Sequence, residues 1–185
     1  MGKDILFALW FFAPAGIANA SPIFVSRFPG LKNLNTPMDF GATWRGKRLF
    51  GKNKTWRGLI SGMVMATVTL ALQQYAVRHF GWAQTLTRQI DYAKLPLFVV
   101  GPLLGAGALI GDAVESFFKR QREVPPGHAW FPFDQIDYVV GGAIAMLPFV
   151  RLHMWQYVWL VVVWIVLHLL ASYVGFLLHL KERPI

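Results

Sequence analysis

The chain has 185 residues, of which 55% are hydrophobic and only 15% charged, with a mean hydropathy of +0.43. A soluble domain carries roughly 25% charged residues, and a globule of this length has too little interior to hide so much apolar surface. Without cysteine and with a net charge of +9, the sequence excludes a disulfide scaffold and thiolate chemistry, and it points to an integral membrane protein that meets anionic lipid or phosphate-bearing substrates.

A spanning helix needs ~20 mostly apolar residues. The first uncharged run is Ile5 to Ser26. Its Pro14, Asn19 and Pro22 survive in lipid only where neighbouring helices satisfy the exposed backbone, so this span is expected inside the bundle. Lys3, the apolar core and Ala18-Asn19-Ala20 imitate a cleavable signal peptide. Apolar residues resume at once with Pro22-Ile23-Phe24-Val25, however, so an uncleaved span is expected. A basic loop follows, and then Gly58 to Val77 forms the second span. The third starts at Leu95 and continues to Phe118, interrupted by Asp112 and Glu115. The fourth is the shortest and spans only if it runs from about Asp134 to Leu152; the fifth is Trp155 to Leu180. The expected fold is all-α: a polytopic membrane bundle of five transmembrane helices, with residues 1–185 forming a single domain.

Lysine and arginine placement orients the bundle. With the N-terminus outside, the cytosolic segments carry Arg27, Lys32, the six bases from Arg45 to Arg57, Lys119, Arg120, Arg122, Lys181 and Arg183, a total of 13. The outer side carries Lys3, Arg78, Arg88, Lys94 and Arg151, which is 5. The expected topology is multi-pass in the cell membrane, N-terminus outside and C-terminus cytosolic.

Acids are scarce, so their positions carry information. Asp112, Glu115, Asp134 and Asp137 cluster at the ends of spans three and four that share one membrane face. An acid at a helix centre in lipid costs roughly 2.5–3.5 kcal/mol, and something must compensate for it. Asp112 and Glu115 differ by ~60° in helical azimuth, with Ser116 and Lys119 on the same side. Facing carboxylates without cysteine or clustered histidine suit a hard cation such as Mg2+. The structural alternative is a set of acids paired with Lys119 or Arg120 at helix ends.

The loop from Arg45 to Arg57 reads RGKRLFGKNKTWR, six basic residues in thirteen and no acid. Thr55 is placed to cap the second span. A helix start with free N–H groups beside Lys52, Lys54 and Arg57 is a phosphate site in physical terms. The Walker spacing is absent. A positive-inside loop touching anionic lipid is the alternative reading. Phosphate-binding bases and metal-binding acids at one membrane face point to phosphoryl or nucleotidyl transfer on a lipid, chemistry that needs charge neutralisation and in-line positioning.

The segment GDAVESFFKR (Gly111 to Arg120) followed by PGHAWFPFDQID (Pro126 to Asp137) resembles the signature of the membrane CTP:lipid-phosphate cytidylyltransferases. Together with GKNKTWRGLISG (Gly51 to Gly62) and ANASP (Ala18 to Pro22), it is similar to the smaller CDP-archaeol synthase family within that group. Ser116, Lys119 and Arg120 match an S-x-x-K-R pattern. Asp134 and Asp137 match D-R-x-D, with Gln135 in place of the arginine. The resemblance implies that Asp112 and Asp134 hold Mg2+, with Asp137 nearby. It implies that Lys52, Asn53, Lys54, Thr55 and Arg57, with Ser116 and Gln135, bind nucleotide or phosphate. Lys119 and Arg120 would stabilise charge on the leaving pyrophosphate. The expected reaction joins CTP to a membrane lipid phosphate, of the archaetidic-acid type or phosphatidate, giving CDP-lipid and pyrophosphate, with no nucleic-acid partner. A lipid kinase or phosphatase, and a transporter of anionic lipid, are the competing readings at this stage.

Overall fold

Six helices and one short hairpin make up the described part of the chain, residues 2–25, 34–87, 89–125 and 128–177 of a computed structural model. Arg27, Lys32, Arg88, Lys181 and Arg183 of the charge count, Pro126 and Gly127 of the P-G-H motif, and the end of the fifth expected span lie outside the described residues. Among the described residues, four helices are long and apolar enough to cross a membrane: α1 Gly2–Val25, α2 Trp56–His79, α4 Leu97–Gln121 and α6 Met154–Leu177. At 24 or 25 residues each, they reach ~36 Å against a hydrocarbon core of ~30 Å. A short α3, Gly81–Leu86, and a 3-10 turn, Tyr92–Lys94, join α2 to α4. The chain is therefore a multi-pass helical membrane protein.

The expected fourth span differs. Helix α5 covers only Phe133–Met146, 14 residues and ~21 Å. Pro148 explains the early stop: it has no N–H to give and its ring would strike the carbonyl of Ile144. Helix α5 gives way to a turn in which Phe149 and Val150 donate to the Met146 carbonyl, 2.9 Å each. At the start of α6, the Gln156 side-chain amide donates to the Gln89 side-chain oxygen. The start of α6 thus lies at the α3 end of the molecule, while α5 starts at the opposite end, beside the hairpin.

Two glycine faces on α4 decide how closely the helices pack. A Cβ on Gly105 would lie 2.5 Å from the Gly62 carbonyl oxygen of α2. On the other face, a Cβ on Gly107 would lie 2.7 Å from the Gly141 carbonyl of α5, and one on Gly111 would overlap the Asp137 carbonyl. Small residues let backbones touch, which is the main source of helix association in lipid. Helix α1 lies inside as expected from its Pro and Asn content, with Phe12, Ala15 and Ala18 fully buried. It is tied to α6 by the Trp164 indole, which donates to the Ala8 carbonyl at 3.0 Å.

Candidate active site

The segment between α1 and α2 folds as a hairpin platform at one end of the bundle. Strands β1 (Thr43–Trp44) and β2 (Lys47–Arg48) pair antiparallel, with Thr43 opposite Arg48 and Trp44 opposite Lys47. The turn between them holds Arg45 at φ 51° and Gly46 at φ 77°. Two successive left-handed residues are what a two-residue hairpin turn with the right twist requires. The platform is fastened to the start of α2, where Met38 N–H donates to Lys54 O at 2.7 Å and Trp56 N–H to Thr36 O at 3.0 Å. Thr55 caps α2 as expected, its hydroxyl accepting from Gly58 N–H at 3.1 Å.

Asp39 holds this platform together, and sequence reasoning passed over it as a loop acid. It is 5% exposed and accepts from Arg48 Nη2 at 3.1 Å and from the N–H groups of Gly41, Phe50 and Gly51 at 3.0 Å each. Burial pushes its carboxyl up, but the Arg48 guanidinium and the three N–H groups outweigh burial and hold it well below the usual carboxylate range. A depressed folded pKa contributes stability that is present above the unfolded value of about 3.9 and is lost as pH falls through the folded value. Amide exchange at Phe50 and Gly51, corrected for intrinsic rate, should therefore stay slow from pH 7 down to about pH 4. Asp39→Ala should free both amides at every pH. Equal protection in variant and parent would remove Asp39 from this role.

From the platform, Lys54 reaches across to α4. Its ammonium donates to both Asp112 carboxylate oxygens, at 2.6 Å each, in a pair that is about three-quarters buried. Lys47 donates to the Gln121 carbonyl at 2.8 Å and pairs with Glu123 at 2.9 Å, fixing the hairpin to the end of α4. Beside Lys54, a cavity of ≈ 260 Å3 is lined by Asn19, Asn53, Thr55 and Asp112 among others. A second of ≈ 640 Å3 shares Asn53 and Thr55 with it and adds Lys52 and Arg57. Residues of the ANASP and GKNKT segments, far apart in sequence, thus share one wall.

The close approach of α4 and α5 at Gly107, Gly111 and Gly141 brings their acids together. One carboxylate oxygen from each of Asp112, Glu115 and Asp137 lies within 4.8 Å of the others. Three hard oxygen donors at that separation fit a divalent cation that prefers carboxylate and water, such as Mg2+. Glu115 is 7% exposed, and among the described residues its Oε1 accepts no hydrogen bond and stands 3.6 Å from the Lys119 ammonium, so this buried oxygen has room for a cation.

Asp134, expected as a metal ligand with Asp112, is not one of these three, although its carboxylate meets that of Glu115. It accepts from Lys119 Nζ at 2.7 Å and from the Trp130 N–H at 2.7 Å, while Lys119 also stands 3.6 Å from Glu115. The Asp134 carboxylate thus satisfies a lysine and the loop before α5, one turn away from Asp137. Of the other expected residues, Ser116 is buried in α4 directly after Glu115. Among the described residues, Gln135 is 2% exposed with no hydrogen bond to its Oε1, and the Arg120 Nε is buried with none either. Glu115 was visible in the sequence as the acid one turn from Asp112. Asn19 was visible as the polar residue inside an apolar span.

A family model described as CarS-like CDP-archaeol synthase matches residues 1–185. The CDP-archaeol synthase of Thermococcus onnurineus is 34% identical over 184 residues, 98% of either chain. That of Pyrococcus furiosus is 36% identical over 146 residues, covering 78% of this chain and 76% of its own. A solved structure, reported as structural insight into an intramembrane enzyme for archaeal membrane lipids biosynthesis, superposes with a TM-score of 0.69. It is 27% identical and covers 91% of this chain and 94% of its own.

Proposed function

We propose, for a chain that belongs to the CarS-like CDP-archaeol synthase family and is thus a CTP-dependent cytidylyltransferase, that the acids of α4 and α5 and the GKNKT loop form its catalytic centre. The substrate we assign is a lipid phosphate of the archaetidic-acid type. The observation that carries this reading is the meeting of Asp112, Glu115 and Asp137 beside Lys54, next to cavities walled by the basic loop.

An oxygen of the lipid phosphate monoester attacks the α-phosphorus of CTP. A new P–O bond forms, the bond from the α-phosphorus to the bridging oxygen breaks, and pyrophosphate leaves with the electron pair. The nucleophile is already anionic, so no general base is needed, and His128 is given none of this work. Asp112, Glu115 and Asp137 would hold Mg2+, which when bound supplies charge neutralisation for the triphosphate. This moves the metal from the expected Asp112 and Asp134 pair to three acids, and leaves Asp134 to hold Lys119 in position. Lys52 and Arg57, which line the larger of these two cavities, bind phosphate oxygens together with the N–H groups at the start of α2. Lys54, released from Asp112, binds the phosphates from the other side. Lys119 and Arg120 stabilise the charge that develops on pyrophosphate.

Five crossings and a cytosolic site complete the reading. The bond between Gln156 and Gln89 supports α5 with its following turn as a crossing, because the chain must change sides between the start of α5 and the start of α6. A reporter fused after Ile185 should read as cytosolic; the reverse would take the site away from CTP. The decisive assay is purified protein with Mg2+, labelled CTP and a panel of lipid phosphates. Labelled CDP-lipid with release of pyrophosphate is expected, with ether-linked isoprenoid substrates preferred. Transfer of the terminal phosphate, or none at all, sinks the assignment.

A further inference from the structure

One ridge of α2 shows where the bilayer lies against the molecule. Trp56, Ile60, Val64, Val68 and Leu72 follow one another every four residues, Tyr75 ends the row, and all are 38–64% exposed. On a helix long and apolar enough to cross a membrane, such a row faces lipid. From Trp56 to Tyr75 the helix rises ~28 Å, close to the ~30 Å of the hydrocarbon core. Aromatic rings close the row at both ends. At the α3 end the Tyr75 ring packs on His79 at 4.4 Å and on Phe80 at 6.4 Å, and Phe80 stacks on Trp82. At the hairpin end Trp56 meets Phe40 of the platform, with ring centroids 6.3 Å apart. Trp and Tyr gather where hydrocarbon gives way to head groups, because the ring has an apolar body and a polar edge. Trp56 and the Phe40 ring beside it therefore stand at the head-group level of the leaflet on the hairpin side.

The backbone holds Phe40 there under strain. Its φ is 47°, in the left-handed region that glycine and asparagine enter readily and a bulky side chain does not. The turn is braced from both sides: Phe40 N–H donates to Pro37 O at 3.0 Å, Ala42 N–H to Asp39 O at 2.7 Å, and Gly41 N–H to the Asp39 carboxylate at 3.0 Å. The ring placed by this turn is not an interior one, since Phe40 is 74% exposed even with Trp56 against it. Packing within the protein therefore does not offset the strain. A phenyl ring that stands out beside an interfacial Trp finds its remaining contacts in lipid, in line with the lipid-facing ridge of α2.

We infer that Phe40, paired with Trp56, docks the hairpin platform onto the head-group layer of that leaflet. Phe40 directly follows Asp39, which gathers Arg48 and the N–H groups of Phe50 and Gly51, and Lys52 and Lys54 come next along the chain. A ring seated in the interface thus steadies the loop that carries the two lysines, and the bilayer becomes a structural partner of the platform. The occupant is lipid and not a second protein chain, because Phe40 continues a surface whose length already matches the hydrocarbon core. The inference goes beyond the cytidylyltransferase reading and is independent of the chemistry given to the lysines.

The chain has no cysteine, so Phe40→Cys accepts a single spin label, with Val64→Cys as the hydrocarbon reference. Both are made in the full chain and reconstituted into phospholipid vesicles. Relaxation of each label by dissolved oxygen and by a water-soluble nickel chelate reports its depth. The label at position 40 should meet more oxygen than a label free in water and less than the label at position 64, and should be partly shielded from nickel. A label as open to nickel as one in water overturns the docking. A label closed to both reagents also overturns it, and places a protein neighbour on that surface. Amide exchange at Phe50 and Gly51, in the same vesicles without label, gives a second reading. Phe40→Asn relieves the left-handed strain, so a residue with a purely local role predicts slower exchange. Docking predicts exchange faster by roughly three- to tenfold, as part of the burial of one ring is lost, with Phe40→Trp restoring the parent rate. Slower or unchanged exchange in Phe40→Asn, or equal loss in Phe40→Trp, overturns the inference.

Discussion

Asp137→Asn should lower kcat for CDP-lipid formation by on the order of 10²–10³, the cost of losing one preorganised electrostatic group at a reacting phosphate, while the protein keeps its fold. Asp137 shares its site with Asp112 and Glu115, and the hydrogen bond its carboxylate accepts comes from the neighbouring Tyr138 N–H at 2.6 Å. Taking one charge out of a group of three acids relieves repulsion, so without metal the variant should melt at or above the temperature of its parent. Asp134→Asn, one turn earlier on the same helix, should do the reverse. It removes the nearer of the two acids on Lys119, a side chain that is 11% exposed, and weakens the acceptor for Trp130 N–H. Breaking a buried pair in this way costs roughly 3 kcal/mol, so Tm should fall by several degrees. Melting curves with and without Mg2+, beside activity, separate the two roles. Added Mg2+ should raise the Tm of the parent and of Asp134→Asn more than that of Asp137→Asn. If Asp134→Asn is as stable as the parent but inactive, and loses the metal response, then Asp134 is the ligand and Asp137 is not.

Lys54→Ala should weaken CTP use and strengthen metal binding in the absence of CTP. The Lys54 ammonium touches both oxygens of Asp112, where a cation of higher charge would bind. When nucleotide arrives, the ammonium is needed on the phosphates. A charge-assisted contact of this kind is worth roughly 1.5–3 kcal/mol, so KM for CTP should rise by about 10- to 150-fold. Mn2+ titrated by electron paramagnetic resonance without CTP should bind more tightly to the variant, because no ammonium competes for Asp112. Lys52→Ala should raise KM for CTP but leave Mn2+ binding alone, since the Lys52 side chain lines the outer cavity and not the acid cluster. Parent-like behaviour of Lys54→Ala in both measurements would reduce the contact with Asp112 to a structural ion pair.

Apolar runs of twenty or more residues have only one way to satisfy their backbone in lipid, so the long helices α1, α2, α4 and α6 could be read directly from composition. The cap at Thr55 is equally local, being set by a hydroxyl three residues from an N–H. The pairing of charges is different in kind. Asp112, Glu115, Asp134 and Asp137 look alike in sequence, two acids three apart on each of two helices. Which of them meet depends on the rotation of α4 against α5, and that rotation is decided by the glycines at 107, 111 and 141, which let the backbones touch on one face only. The same contact turns Asp137 towards α4 and leaves Asp134 to Lys119. Asp39 was equally out of reach, because its four donors come from residues two to twelve positions away that converge only once the hairpin has closed. The sequence by itself determined a membrane enzyme with a basic loop and an acidic face. The tertiary structure decided which acids share a site and which hold a lysine, because a carboxylate takes its role from the charge that packing places within a few ångströms of it.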